Sequence, residues 1–345
     1  MIALFANPEQ SGHRAEGHPE RPERVAAILE AIKGSDLGIT PELASPATDA
    51  LIQQVHDPRY IAMLDRAASE GGGYLDPDTY ITPVSMVAAR TAAGAVVGGV
   101  HRVLDGTARH AFAVVRPPGH HAEYARAMGF CLLNNVAVGV YAAREKGVRR
   151  IAILDFDVHH GNGTQHSFAD DAEVFYASTH QYPFYPGTGA AGERGTHGNI
   201  LNVPLASGSG DRAFLGAWDG KIGPALAAFK PELLLISAGF DAHEDDPLAG
   251  LEVTTDGYRD LARLINDWAI SHSRGRTIWA LEGGYNLAAL GNSAVACLEV
   301  LVEGATEGDE RVDSPTERRY NSGSPDQVWE AGNHGEVTRQ GQARS

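Results

Sequence analysis

The chain has 345 residues, 43% hydrophobic and 21% charged, enough apolar material for one large α/β domain or two smaller ones. Its formal net charge of -16 argues against a nucleic-acid-binding surface, because phosphate recognition needs clustered Lys and Arg. Only Cys131 and Cys297 are present, so there is neither a disulfide framework nor a cysteine zinc motif. No basic leader and no long apolar span is read from the sequence, and the expectation is a cytoplasmic protein that engages no membrane.

In chain order, His18-Pro-Glu-Arg-Pro-Glu-Arg24 leads into a helix with Val25, Ile28, Leu29 and Ile32 at helical spacing and Gly34 as its close. Ser85 to Leu104, rich in Ala and Gly, reads as a closely packed helix. The apolar runs Ala111-Phe-Ala-Val-Val115 and Ile151-Ala-Ile-Leu154 read as buried strands. Asp211 to Phe229 reads as an amphipathic helix, Leu233-Leu-Leu-Ile236 as a strand, and Thr255 to Ser271 as a helix N-capped by Thr255. Thr277-Ile-Trp-Ala-Leu281 is the last strand. From about Glu303 the pattern turns polar. We therefore expect one domain over residues 1–303 and a disordered tail over 304–345, with a short helix near Trp329. Doubly buried strands alternating with helices indicate a three-layer α/β fold, a mostly parallel central sheet flanked by helices.

Each of the four runs ends in polar or glycine-rich residues: Arg116-Pro-Pro-Gly-His120-His121, then Asp155, Asp157 and His159, then Ser237-Ala-Gly-Phe-Asp241, then Glu282-Gly-Gly-Tyr285. Ligands of open α/β sheets bind at the carboxyl ends of strands, so the four tips are expected to share one crevice. Asp155, Asp157 and His159 alternate and would share a face, and two acids so close need a cation between them. Asp157, His159 and Asp241 make a mixed oxygen and nitrogen set suited to zinc, with ferrous iron also acceptable. Three protein ligands leave a position open for chemistry. His120 and His121 can serve as general base and acid if the Pro-Pro-Gly turn brings both inward. Asp155 and Asn162 are candidates to fix their tautomers, and Tyr285 to donate to an oxyanion. His160 is expected to point away from His159.

In these motifs, together with Gly129-Phe-Cys-Leu-Leu-Asn-Asn135 and Asp155-Phe-Asp-Val-His-His-Gly-Asn-Gly-Thr164, the chain resembles the zinc-dependent histone deacetylases from His18 to about residue 303. The resemblance implies the arginase/deacetylase fold and one zinc held by Asp157, His159 and Asp241. It makes His121 the general base and acid, His120 its electrostatic support paired with Asp155, and Tyr285 the transition-state residue. Asn162, where class I members carry aspartate, points to the class II-like branch. An inner potassium site would use Asp155, Asp157, His159, Ser178 and Thr179, largely through backbone oxygens. Gly129, Phe130 and Tyr185 match the walls of an acyl-lysine tunnel, and Leu248 a rim position where glutamate marks polyamine specificity. The implied substrate is an acylated lysine or a small acyl-amine. The rivals are an acetylpolyamine amidohydrolase on the same scaffold, a two-manganese ureohydrolase, and a non-catalytic acyl-binding protein; the second is short of bridging carboxylates and the third has no need of Tyr285 and the two histidines.

Overall fold

The computed structural model describes residues 1–312, with side chains placed through Gly304 apart from Glu9. In chain order the strands are β1 (Ile2–Phe5), β2 (Pro41–Glu42), β3 (Gly73–Tyr74), β4 (Tyr80–Ile81), β5 (His110–Ala113), β6 (Ile151–Asp155), β7 (Val174–Gln181), β8 (Ile200–Leu205), β9 (Leu233–Ala238) and β10 (Thr277–Leu281). The helices are α1 (Glu23–Lys33), α2 (Asp49–Ile52), α3 (Pro58–Ser69), α4 (Ser85–Leu104), α5 (Asn135–Glu145), α6 (Asn162–Phe168), α7 (Asp211–Ala217), α8 (Gly223–Phe229), α9 (Thr255–His272) and α10 (Leu287–Val312). An eight-stranded sheet runs β2-β1-β5-β10-β9-β6-β7-β8, parallel at every pairing. β3 and β4 form a separate antiparallel pair. This is the arginase/deacetylase type of α/β architecture, with helices on both faces.

Alternation along the strands separates two cores. Ala111, Ala113, Ile151, Ile153, Leu233, Leu235, Ile278 and Ala280 face a layer packed by α2, α3, α4 and α5. Phe112, Ala152, Leu154, Leu234, Ile236, Trp279 and Leu281 face the layer of α1, α8, α9 and α10. The strands therefore read as continuous apolar runs, since neither face meets water.

Four strands of the sheet carried no comparable signal. β7 (Val-Phe-Tyr-Ala-Ser-Thr-His-Gln) and β8 are buried along most of their length, but their polar residues interrupt the apolar run. β1 is short and terminal, and β2 has only two residues. The expected helix over Asp211 to Phe229 is broken by a π-helical turn at Trp218–Ile222, which seats the fully buried Trp218 with its Nε1 donating to Thr179 Oγ1 at 3.1 Å. The cap of α9 is Thr254, one residue before the expected one; its side chain accepts from Gly257 N at 3.1 Å.

α10 corrects a further expectation. Leu287–Gly304 is long and apolar enough to cross a membrane by composition, with mean hydropathy 1.4, and 61% of it is buried in the protein, where α10 packs on α1 and α9. The same helix runs to Val312, past the boundary expected at residue 303. The rest of the expected tail, with its helix near Trp329, lies outside the described residues.

Candidate functional site

β5, β10, β9 and β6 are consecutive in the sheet, so the four segments that follow them emerge side by side. After Asp155 the chain turns in a tight loop held by its own acids. Asp155 Oδ1 accepts from Asp157 N at 3.2 Å, and Asp157 Oδ1 from His159 N at 2.8 Å. Asp241 Oδ1 reaches across from the β9 segment to accept from Val158 N at 2.9 Å, and Asp157 Oδ2 accepts from Gly283 N, after β10, at 2.7 Å. Gly239 and Gly283 are required here: a Cβ at either would collide with the Asp157 carboxylate, and at Gly283 with Asp241 also.

These bonds bring together one donor atom each from Asp157, His159 and Asp241, all within 4.8 Å of one another. His159 Nδ1 lies 3.0 Å from Asp157 Oδ1 and 3.2 Å from Asp241 Oδ2. Asp241 Oδ2 is buried and accepts no hydrogen bond. Burial opposes a charge on His159, yet its hydrogen bond to Asp157 and the Asp241 carboxylate beside it prevail and raise its pKa to about 10. Burial and the Asp157 charge push Asp241 up to about 7. Two buried acids that draw a proton onto a neighbouring imidazole mark a position demanding positive charge, and the donor set fits a divalent metal ion.

His120 and His121 both enter the site because they sit on a turn rather than a strand. Glu282 pins that turn, with Oε2 accepting from Gly119 N at 2.6 Å and His120 N at 3.1 Å, and Oε1 accepting from Ser237 Oγ at 3.1 Å. The two rings lie 4.0 Å apart, and His121 stands 5.9 Å from the His159 ring. His120 Nδ1 is 3.1 Å from Asp155 Oδ2, while His121 Nδ1 is 2.7 Å from Asn162 Oδ1. Carboxylate and amide partners separate the pair. Burial disfavours the His120 cation, but Asp157, Asp155 and Glu282 outweigh it and raise its pKa to about 10. Burial, His120 and His159 push His121 well below its ordinary value, so it is the neutral member.

Tyr285 closes the other side. Its phenol is held protonated by burial. Asp246 Oδ2 accepts from its N–H at 2.6 Å, and the Arg24 guanidinium lies over its ring at 4.8 Å. Arg24, whose place at the start of α1 and whose charge suggest a helix-start and salt-bridge residue, is fully buried. It donates to Gly284 O at 2.6 Å and to Glu282 O, and pairs with Glu20 at 3.2 Å. Arg24 and Glu282 thus position the glycine turn. Glu282 could have been singled out as the acid ending a buried strand; no local pattern marks Arg24.

The site opens into a cavity of about 240 Å³ with His120, His121, His159 and Tyr285 at its base and Gly129, Phe130, Phe184, Tyr185 and Leu248 among its walls. Phe130 holds φ 69°, and Thr79 Oγ1 accepts from its N–H at 3.1 Å. Its ring meets Tyr285 edge-on at 5.8 Å; Tyr185 meets His121 at 5.2 Å. Phe184, which the sequence did not single out, stacks on His159 at 5.4 Å. A larger apolar cavity of about 510 Å³ lies beside α1, but its charged residues Arg14 and Glu23 pair with each other at 2.6 Å and it has no base or metal-binding cluster among its lining. Chemistry favours the smaller one.

Ser178 pairs with Asp155 in the β6–β7 ladder. Its hydroxyl is bonded to His180 Nδ1 at 2.8 Å, as that of Thr179 is to Trp218, so both side chains are engaged away from the cluster of Asp157, His159 and Asp241. His160 points away, bonded to Thr188 at 2.8 Å and Gln165 at 2.9 Å.

Comparison with known proteins gives one family. Residues 18–301 match the histone deacetylase domain. The chain is 42% identical to a probable deacetylase of Methanothermobacter thermautotrophicus, over 87% of this chain and 90% of that one. It is 38% identical to a histone deacetylase-like amidohydrolase of Pseudomonas aeruginosa, over 83% and 77%. The solved HDA15 HD domain superposes with a TM-score of 0.84 at 37% identity, covering 88% of this chain and 90% of that one.

Proposed function

The chain belongs to the histone deacetylase family, and from that premise we propose that it hydrolyses an acyl-amide bond, in an acylated lysine side chain or a related small acyl-amine, with one zinc ion as cofactor. The observation that carries the reading is the neutral His121 beside the cluster of Asp157, His159 and Asp241 at the base of an apolar-walled cavity. Those three residues would hold the zinc, which supplies Lewis acidity that lowers the pKa of water and polarises a carbonyl. His121 takes a proton from the attacking water and returns it to the leaving amine. His120, kept cationic by its three acids, stabilises negative charge as it builds. Tyr285 donates its phenolic hydrogen to the oxyanion. Phe130, Phe184 and Tyr185 enclose an alkyl chain and exclude water. A potassium ion among Asp155, Asp157, His159, Ser178 and Thr179 belongs to the same reading, held through backbone oxygens.

Leu248 lines the cavity and offers no carboxylate for a distal ammonium, which favours acyl-lysine. Asp78 lines it too, and favours as second reading an acetylated polyamine whose free amine meets that acid. The test is to assay an acetyl-lysine peptide, a longer acyl-lysine peptide and acetylputrescine side by side, with and without a chelator. Chelator-sensitive release of the free amine is expected, with acetyl-lysine preferred. No turnover of any acyl amide by zinc-loaded protein would refute the reading.

A further inference from the structure

Asn162 presents a problem that an aspartate in its place would not. A carboxylate facing His121 Nδ1 can only accept a hydrogen bond, whereas an amide can present either its oxygen or its NH2 group. If the NH2 group faced His121, Nδ1 would have to accept. The ring hydrogen would then sit on Nε2, leaving no lone pair there for the cavity His121 lines. A catalytic base built on asparagine therefore needs something to set the amide.

That something is on the far side of Asn162. Its Nδ2 donates to Glu123 Oε1 and lies 3.4 Å from Met128 Sδ, both acceptors. Glu123 in turn binds His166 Nδ1 through both oxygens, at 2.8 and 2.7 Å. The Glu123 backbone is held on both sides, its N–H donating to Arg126 O at 2.9 Å and its carbonyl accepting from His56 Nδ1 at 2.9 Å, so the side chain is aimed at Asn162. The row runs from the buried His121 through Asn162 and Glu123 to His166, which is half in solvent. His166 is pushed above its ordinary pKa by its hydrogen bond to Glu123, which favours its cation against the outer face of the carboxylate.

We infer that Glu123 is a positioning residue for the reaction: it fixes the amide orientation of Asn162 and so the tautomer of His121, with His166 as its partner at the surface. An ionised carboxylate has no hydrogen to give, so the NH2 end of Asn162 must turn toward it. Asn162 Oδ1 then accepts from His121, the hydrogen rests on Nδ1, and Nε2 keeps the lone pair. The inference rests on His121 being the base of the proposed hydrolysis.

The test reverses the donor pattern. Glu123→Lys offers only hydrogens, turns the Asn162 oxygen outward and puts the wrong tautomer on His121. Loss of the correct tautomer of a catalytic histidine lowers kcat by up to about 10⁴. We expect a fall of about 10² or more in kcat with little change in KM or zinc content. Glu123→Lys combined with Asn162→Asp restores an acceptor toward both neighbours, and should recover at least about tenfold over the single variant. Glu123→Ala, which removes the acceptor without adding a donor, should give both tautomers and lose about two- to tenfold, in proportion to the share of the wrong one. Long-range proton–nitrogen correlation spectra of zinc-loaded protein read the tautomer directly: Nδ1–H in the parent, Nε2–H in Glu123→Lys, both in Glu123→Ala. Nδ1–H alone in all three, or a double variant with parental fold and zinc content no faster than Glu123→Lys, overturns the inference. If even the parent turns over no acyl amide, the proposed function fails while the spectra still decide the role of Glu123.

Discussion

The base and the walls of the cavity are built in different ways. The base is delivered by four adjacent strands of a parallel ladder and locked by backbone donors: Asp157 from His159 and Gly283, Asp241 from Val158, Glu282 from Gly119 and His120. The walls come from connecting segments. Phe130 is held by Thr79, and Leu248 by the Asp246 side chain, which accepts from its N–H at 3.1 Å. The base therefore sits on short turns cross-locked at the strand ends and the walls on segments less tied to the sheet, a division that would let the walls vary while the base stays fixed.

The largest effect should come from the base. Asp157→Ala or Asp241→Ala should leave a folded protein that retains no zinc, read by metal analysis. Activity should fall by at least the roughly 10²–10⁴ that loss of a general base costs. Retention of parental zinc by Asp157→Ala would separate the cluster from the metal. Tyr285→Phe removes one oxyanion donor and should lower kcat by about 10²–10³ with zinc content unchanged; an unimpaired phenylalanine variant would assign Tyr285 to packing alone.

Wall substitutions should be milder and should sort substrates. Leu248→Glu places a carboxylate at the cavity and should move the ratio of kcat/KM for acetylputrescine over acetyl-lysine upward by about 10- to 200-fold, the scale of a single pocket contact. A change in kcat for both substrates by equal factors would place Leu248 in the base instead.

The most local effect concerns acid. His56 Nδ1 donates to Glu123 O at 2.9 Å, and its Nε2 accepts from Asn134 N at 2.9 Å, so a neutral His56 clasps the segment carrying Gly129 and Phe130. Burial lowers its pKa from 6.5 to about 4. As pH falls from 6.5 toward 4 the opened state binds a proton that the folded state refuses. The segment should lose up to about 1.4 kcal/mol of local stability per pH unit, with nothing lost above pH 6.5. Amide hydrogen exchange across residues 123–134 should respond, after correction for the intrinsic pH dependence of exchange, while the β6 and β9 amides stay protected. Equal loss at both would show that walls and base open together.

How much of this was legible depends on the range of the interactions involved. Asp155, Asp157 and His159 stand in one short segment at the end of an apolar run, where residue type and spacing are enough to find them, although β6 ends at Asp155 and the other two lie in the loop after it rather than on one strand face. The His120-His121 pair was visible, but its entry into the site depends on Glu282, 162 and 163 positions away from the backbone groups it holds. Arg24 reaches Gly284 across 260 positions, and nothing near either residue announces it. Phe184 looked like any loop aromatic until it stacked on His159.

By itself the sequence determined the parallel layered fold and the types of group at the strand ends, because burial on both faces leaves a continuous apolar run that stops where the strand meets the crevice. Only the tertiary structure decided which imidazole is charged, and that His121 meets the Asn162 amide rather than an acid. Asp155 with His120 and Asn162 with His121 are pairings between segments, and they leave one imidazole charged and its neighbour neutral. Desolvation and charge at a few ångströms make that distinction, and a linear chain carries no record of either.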